Sequence, residues 1–149
     1  MEAYRLAVVL HLLGASVWVG GHLVLCLSVL PRALRVRDPE PIRAFEAGFE
    51  RIGIPALLLQ VATGLWLAVH WVPDVGAWFR AATPPAALIL VKLSLLAATA
   101  GLAIDARLRV IPRLEAATLP GLAWHIVAVT VVAVAFLVCG VGIRTGGLW

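Results

Sequence analysis

Charged residues are scarce in this sequence. Only 13% of the 149 residues are charged, whereas 62% are hydrophobic, and a soluble domain usually carries about 25% charged residues. A water-soluble fold of this length has too little interior to bury so much apolar surface. This scarcity of charge excludes an ordinary soluble domain and indicates that lipid is the solvent.

Sulfur-containing residues are equally few. Methionine occurs once, at position 1, and cysteine occurs at Cys26 and Cys139 alone. The topology predicted below places these cysteines in opposite halves of the membrane, so we expect no disulfide between them. A copper transporter that uses soft thioether ligands would carry more methionine, so the single methionine makes copper transport the less favoured interpretation.

Several sequence motifs of catalysis and cofactor attachment are absent. The chain has no Cys-x-x-Cys-His, no His-Glu-x-x-His, no phosphate-binding glycine loop and no nucleophile elbow. The net charge is +4, but no basic stripe carries interleaved aromatic residues, so we expect no nucleic-acid partner. The basic residues concentrate in short loops, where they favour a role in topology and in contact with anionic headgroups of membrane lipids.

Four long apolar runs are present, at 3–30, 52–72, 86–104 and 121–143. Each has roughly the twenty residues that span about 30 Å of hydrocarbon. Because backbone groups in lipid must be satisfied within their own segment, these runs are predicted to be helices. The predicted fold class is all-α, an integral membrane antiparallel four-helix bundle, with residues 1–149 as a single four-span domain.

The arginines predict the orientation of this bundle. Eight lie in the first and third connecting loops and three on the opposite side, and cytoplasmic loops carry the excess of basic residues. The three on the opposite side are Arg5, Arg80 and Arg144. We therefore expect a multi-pass protein of a bacterial-type inner (plasma) membrane with both termini outside the cytoplasm.

All four histidines lie inside the apolar runs. Ionisable groups at membrane depth are costly and usually face a bundle interior, a cavity or a cofactor. By depth they sort into an outer pair, His11 with His70, and an inner pair, His22 with His125. His11 and His22 are eleven residues apart, close to three helical turns, so they share one helix face. The two pairs reach equal depths only if the first helix overshoots the bilayer at both ends.

Paired imidazoles from facing helices predict haem ligation. Neutral imidazole binds haem iron, copper and zinc, and bundle cores often hold cofactors. Gly14 and Gly21 would let a flat macrocycle approach the first helix, while Arg5, Arg80 and Arg144 would pair with outer propionates. The alternative is that each histidine only hydrogen-bonds a neighbouring helix, an interaction of about 0.6 kcal/mol.

Lys92 is the remaining charge within the apolar runs. Its long stem would allow the ammonium group to reach the interface. Otherwise the side chain faces the outer site and acts on a propionate, a substrate or a proton path, which makes it a candidate catalytic residue.

Short motifs in three of the runs resemble the copper-resistance-D-like (CopD) superfamily, which includes the HemJ-type protoporphyrinogen oxidases. They are His11-Leu-Leu-Gly-Ala-Ser-Val-Trp18-Val-Gly20-Gly21 in the first run, Val61-Ala-Thr63-Gly64-Leu in the second, and Leu90-Val-Lys92-Leu followed by the 107–112 stretch in the third. The resemblance implies that His11 and Lys92 matter for haem binding and activity. The fourth run lacks the terminal acidic and proline features of the HemJ type.

These observations lead to one hypothesis and two alternatives. The leading hypothesis is a b-type haem protein that transfers electrons across the membrane through one or two bis-histidine haem sites. The alternatives are a HemJ-like protoporphyrinogen oxidase, and CopD-like copper transport or binding. The hypothesis leaves the electron donor and acceptor open, with a quinone as one candidate, and a bundle this small would gain from forming a homodimer.

Overall fold

The structure is a computed structural model that describes residues 1–145. Four helical spans are long and apolar enough to cross a membrane, at Glu2–Val36, Glu40–Trp71, Pro84–Arg113 and Leu119–Gly142. We refer to them as spans 1 to 4. No strand occurs within residues 1–145, which confirms the all-α membrane bundle.

Each span is built from one or more helical segments. They are α1 (Glu2–Val24) and α2 (Leu30–Val36) in span 1, α3 (Glu40–Trp71) in span 2, the short connecting helix α4 (Val75–Phe79), α5 (Pro84–Asp105) in span 3 and α6 (Leu119–Thr145) in span 4. A π-helical turn at Leu25–Val29 joins α1 to α2, and a second at Ala106–Val110 extends α5. A 3₁₀ turn at Ile111–Arg113 ends span 3.

Both π-helical turns lie directly before a proline. The Leu30 N–H bonds to the Leu25 carbonyl just ahead of Pro31, and the Ile111 N–H bonds to the Ala106 carbonyl just ahead of Pro112. A proline ring clashes with the carbonyl four residues earlier and donates no hydrogen bond. The wider π turn accommodates both defects, so these helices continue past the points where the apolar runs end.

The connection between spans 2 and 3 is fixed by caps and by a buried indole. Asp74 accepts a hydrogen bond from the Gly76 N–H (2.9 Å) at the start of α4. The Trp78 side chain is buried and donates to the Val72 carbonyl (2.9 Å). Thr83 caps α5 by accepting from the Ala86 N–H, and prolines occupy the first turn of α5, where no partner is lost.

The bundle is packed unevenly along its length. Span 1 packs against spans 2 and 4, and span 3 packs against span 4, whereas spans 2 and 3 barely touch. Half of the buried hydrophobic residues form one cluster at the end where the 1–2 and 3–4 loops lie: Leu25, Leu30, Ala33, Ile42, Leu114, Leu119, Leu122 and Ile126. We call this the core cluster. The opposite half of the bundle is left to contain the cavity described next.

Candidate functional site: a cavity in the half of the bundle that holds the N-terminus

A cavity of about 330 Å³ lies in the half of the bundle that contains the N-terminus. All four spans contribute to its wall, which is mainly apolar. Its polar or aromatic lining residues are Tyr4, His11, Trp18, Gln60, Trp71, Lys92 and Phe136. Because spans 2 and 3 barely touch, the cavity lacks a wall of packed helices between them.

His11 is held in one orientation by span 2. Its Nδ1 lies 3.0 Å from the Gln60 carbonyl oxygen and 3.1 Å from Thr63 Oγ1. The Thr63 hydroxyl donates its own proton to the Leu59 carbonyl, 2.6 Å away, so both partners of Nδ1 act as acceptors. The hydrogen-bond network therefore assigns the proton to Nδ1 and leaves the lone pair on Nε2 free. Metal-binding histidines are usually oriented in this way.

Gly64 makes room for the His11 ring. A Cβ atom at this position would lie 2.9 Å from His11 Cε1, closer than side chains normally approach. Sequence reasoning assigned no role to Gln60 or Gly64 and used Thr63 only as part of a motif. Their spacing of three and four residues puts all three on one face of a helix, which is the signal that could have found them.

Gln60 also presents an unsatisfied polar atom. Its side-chain Oε1 is buried and has no hydrogen-bond partner within residues 1–145. Most buried polar atoms in proteins are paired, so an exception needs an explanation such as an unoccupied ligand position. Since Gln60 lines the cavity, this oxygen is a candidate second ligand-binding atom beside the His11 ring.

Lys92 lines the same cavity from span 3. A Cβ atom on Gly140 of span 4 would lie 3.7 Å from the Lys92 Nζ, so the absence of a side chain there leaves space for the ammonium group. Lys92 has no hydrogen bond or ion pair within residues 1–145, and no Asp or Glu lines the cavity. The prediction that Lys92 faces the outer site agrees with this placement, while its catalytic role stays a prediction.

The outer histidine pair is not assembled in this structure. His70 is exposed and does not line the cavity. Its ring stacks on Trp66 at 5.4 Å between ring centroids and lies tilted against the Tyr4 ring at 5.0 Å. His11 instead contacts Thr63, seven residues before His70, which is about 10 Å along a helix. The packing register of spans 1 and 2 thus holds the two rings at different depths.

The inner pair is not assembled either. Thr130, not His125, is the residue of span 4 that reaches His22: its Oγ1 lies 3.3 Å from the His22 carbonyl. His125 is five residues earlier, about 7.5 Å along the helix. Its Nε2 binds Asp105 Oδ2 at 2.8 Å, and its Nδ1 lies 3.4 Å from the Gly121 carbonyl.

The His22 ring is enclosed by span 1 and by an aromatic residue of span 2. Its Nδ1 lies 2.8 Å from the Trp18 carbonyl, and its edge meets the Phe49 ring at 5.7 Å between centroids. The contact of His22 with span 4 is made by its main-chain carbonyl and the Thr130 hydroxyl, not by the ring. Metal binding by His22, His70 or His125 individually stays a prediction.

The two glycines predicted to admit a macrocycle are instead points of close helix packing. A Cβ on Gly14 would lie 2.9 Å from the Ala56 carbonyl oxygen, and one on Gly21 would lie 2.1 Å from the Phe49 ring. Span 2 already fills the space over both residues. The physical reason is that a missing side chain lowers the cost of helix contact as readily as it opens a cavity.

Two of the arginines predicted to bind propionates, Arg5 and Arg80, do not reach the cavity. Arg80 pairs with Asp74 at 3.0 Å in the 2–3 loop, and Arg5 is exposed near the N-terminus. Neither residue lines the cavity. The Arg144 side chain lies outside the described residues.

No group of three or more His, Cys, Asp or Glu side chains suited to hold a metal ion occurs within residues 1–145. The two histidine pairs are not brought together, so the side chains do not form two bis-histidine sites. His11 is the histidine that lines the cavity.

Comparison with known proteins gives one match. The family described as copper resistance protein D matches residues 43–143, which include most of span 2 and all of spans 3 and 4. The match therefore includes Gln60, Thr63, Gly64 and Lys92 but not His11. No curated protein and no solved structure matches the chain. The match covers more than half of the sequence and confirms the CopD-like resemblance, so the chain belongs to the copper resistance protein D family.

Proposed function

We propose that this membrane protein takes part in copper handling and binds copper in transit in the cavity, through Nε2 of His11. The observation that carries the proposal is the orientation of this imidazole. Its Nδ1–H is fixed by the Gln60 carbonyl, and the free Nε2 belongs to a residue that lines the cavity. Imidazole nitrogen is a good copper ligand, and membership of the copper resistance protein D family supports the choice of metal.

The other polar and charged groups that line the cavity favour the transfer of copper over its storage. Gln60 Oε1 is the one unsatisfied buried side-chain oxygen of the described residues, and nitrogen with oxygen donors suits copper(II). No carboxylate lines the cavity, and the Lys92 ammonium repels a cation. Transport requires binding that is strong enough for entry and weak enough for release, and such an open donor set meets that condition.

The test is copper binding by the purified full-length protein in detergent. The protein is incubated with copper(II), desalted and analysed for metal, and the electron paramagnetic resonance spectrum is examined for nitrogen coupling. We expect His11→Ala to lose both the bound copper and the nitrogen coupling. His70→Ala removes a histidine that stacks outside the cavity and should bind copper as the wild type does. Equal binding by all three proteins would contradict the proposal.

A haem-dependent oxidoreductase is the second candidate, and the apolar wall of the cavity favours it. A volume of about 330 Å³ falls within the range of pockets that bind organic cofactors, about 300 to 1,000 Å³. His11 would supply the axial nitrogen and Lys92 a cation for a carboxylate, so one haem is expected and not two. This candidate covers two functions, an electron carrier and a HemJ-like oxidase. For both, the redox donor and acceptor, a quinone among them, and the formation of a homodimer stay predictions.

A visible spectrum separates the two candidates. The purified protein is examined for a Soret band, and a pyridine haemochrome assay measures haem per chain. A Soret band that disappears in His11→Ala, together with haem close to one per chain, would support the haem candidate over copper. Copper without a Soret band would support the leading proposal.

The proposed orientation puts the cavity on the outer side of a bacterial-type inner membrane. The arginine distribution supports it, since the core cluster lies at the end with the basic loops and the cavity at the end with the N-terminus. Reporter fusions test this arrangement. A periplasmic reporter is expected to be active at the N-terminus and inactive in the 3–4 loop, and the reverse result would place the cavity on the cytoplasmic side.

A further inference from the structure

A second cavity lies at the opposite end of the bundle, between the end of α2 and the start of α6. Its volume is about 440 Å³. It is lined by Leu34, Arg37, Ala116, Ala117, Leu119 and Pro120. Arg37 is the single charged lining residue, and the other lining side chains are apolar. The cavity therefore combines one cation with an apolar surface.

The arginines near this cavity lack the carboxylate partners that four other arginines of the protein have. Four arginines elsewhere have carboxylate partners: Arg43, Arg80, Arg107 and Arg109. In contrast, Arg32, Arg35 and Arg37 are exposed and form no ion pair within residues 1–145. The neighbouring Asp38 accepts a hydrogen bond from the Glu40 N–H at 2.9 Å and does not line the cavity. A net positive charge is therefore concentrated on this end of span 1, where three arginines are followed by one aspartate.

The backbone of Arg37 directs the chain away from the helix at this point. Arg37 ends α2 in the left-handed conformation, with φ of 54°, which is costly for a residue with a side chain. Leu34 and Val36 beside it are exposed, at 39% and 57% of their maximum. In a membrane, exposed apolar side chains at this position would contact acyl chains, and the Arg37 guanidinium would extend to the headgroups.

We propose that this cavity, at the membrane surface formed by the 1–2 and 3–4 loops, binds the headgroup of an anionic phospholipid. Arg37 pairs with the phosphate, the apolar wall contacts the glycerol and the upper acyl chain, and Arg32 and Arg35 add to the local positive potential. Basic pockets between transmembrane helices are known to hold anionic headgroups. The proposal is independent of the copper cavity at the other end.

The test is native mass spectrometry of the detergent-purified full-length protein, titrated with phosphatidylglycerol or phosphatidylcholine. The wild type is expected to retain phosphatidylglycerol preferentially. Arg37→Gly removes the charge and suits the left-handed backbone, so it should fold and should bind phosphatidylglycerol about fivefold more weakly, the factor for one cation near an anionic surface. Arg37→Lys should keep most of the binding.

Arg5→Gly is the matched control, because it removes an exposed arginine at the opposite membrane surface and should leave lipid retention unchanged. An excess of inorganic phosphate should not displace the lipid. Three results would each overturn the proposal: equal retention of both lipids, wild-type binding by Arg37→Gly at an unchanged melting temperature, or displacement by free phosphate.

Discussion

His11 and Gln60 join span 1 to span 2 through a hydrogen bond of 3.0 Å between the imidazole Nδ1 and a main-chain carbonyl oxygen. The bond comes from the backbone of span 2, so it depends on helix register and not on the rotamer of a partner side chain. It defines both the tautomer of the ring and the direction of the free nitrogen. Substitutions at Gly64, Thr63 and Gly21 test this arrangement, because they change the surroundings of the ring or the contact between helices that sets their register.

Gly64→Ala should weaken copper binding by about tenfold, the lower end of the effect of disturbing the surroundings of a metal ligand. The added Cβ would lie 2.9 Å from His11 Cε1 and would push the ring from its position. Gly101→Ala is the control, because a Cβ there meets no atom within 4 Å. Copper affinity is measured by titration. If both variants bind like the wild type, His11 is not the ligand.

Thr63→Val should weaken copper binding by about fivefold, the factor that corresponds to one lost hydrogen bond of about 1 kcal/mol. Valine matches threonine in shape but cannot accept from His11 Nδ1, which then depends on the Gln60 carbonyl alone. Thr99→Val is the matched control, since the Thr99 hydroxyl bonds within its own helix to the Leu95 carbonyl. A larger loss in the control than in Thr63→Val would argue against an oriented His11.

Gly21→Ala should lower the free energy of unfolding by about 1 to 3 kcal/mol, the usual cost of overpacking. Its Cβ would lie 2.1 Å from the Phe49 ring, so spans 1 and 2 would have to separate. Gly20→Ala, where a Cβ meets nothing within 4 Å, should be neutral or stabilising. Unfolding is followed by circular dichroism in mixed micelles. Adding Phe49→Leu to Gly21→Ala should restore part of the loss, and no restoration would contradict the assigned contact.

Asp105 and His125 should show a coupling free energy of about 1 kcal/mol in a double-mutant cycle. The pair joins spans 3 and 4 at 2.8 Å and is partly shielded from solvent. The cycle uses Asp105→Asn and His125→Gln with unfolding in mixed micelles as the measurement. The pair Arg109–Asp105 is the control, because Arg109 is 80% exposed and such pairs contribute close to nothing. Equal coupling free energies in the two pairs would mean that the His125–Asp105 contact stabilises the protein no more than an exposed ion pair does.

Hydropathy predicted the four spans correctly because lipid leaves the backbone few alternatives to a helix. It could not predict where the helices end. Pro31 and the charges after 104 marked the ends of apolar runs, yet the π-helical turns let the helices continue to Val36 and Arg113. The helix of span 2 likewise begins at Glu40, twelve residues before the apolar run at 52–72.

The histidine pairs illustrate a limit of depth counting. Run lengths give the depth of a residue to within a turn or two, but an iron site needs two nitrogens at the same level. The register of spans 1 and 2 depends on contacts such as Gly14 with Ala56 and Gly21 with Phe49. These contacts are between residues far apart in sequence, and no periodicity in one helix encodes them. The contact between Asp105 and His125 also joins two different helices and could not be predicted from the periodicity of either one.

The concentration of buried hydrophobic residues at one end gives the two halves of the bundle different resistance to opening. The half with the core cluster should exchange its amide hydrogens slowly, because Ile42 and Leu119 are almost fully enclosed. In the other half, an occupant of the cavity would supply the contacts that side chains do not. Ligand binding would then act as a late step of folding. Without the ligand, the protein would open locally at the entrance of the cavity, where the ligand enters and leaves.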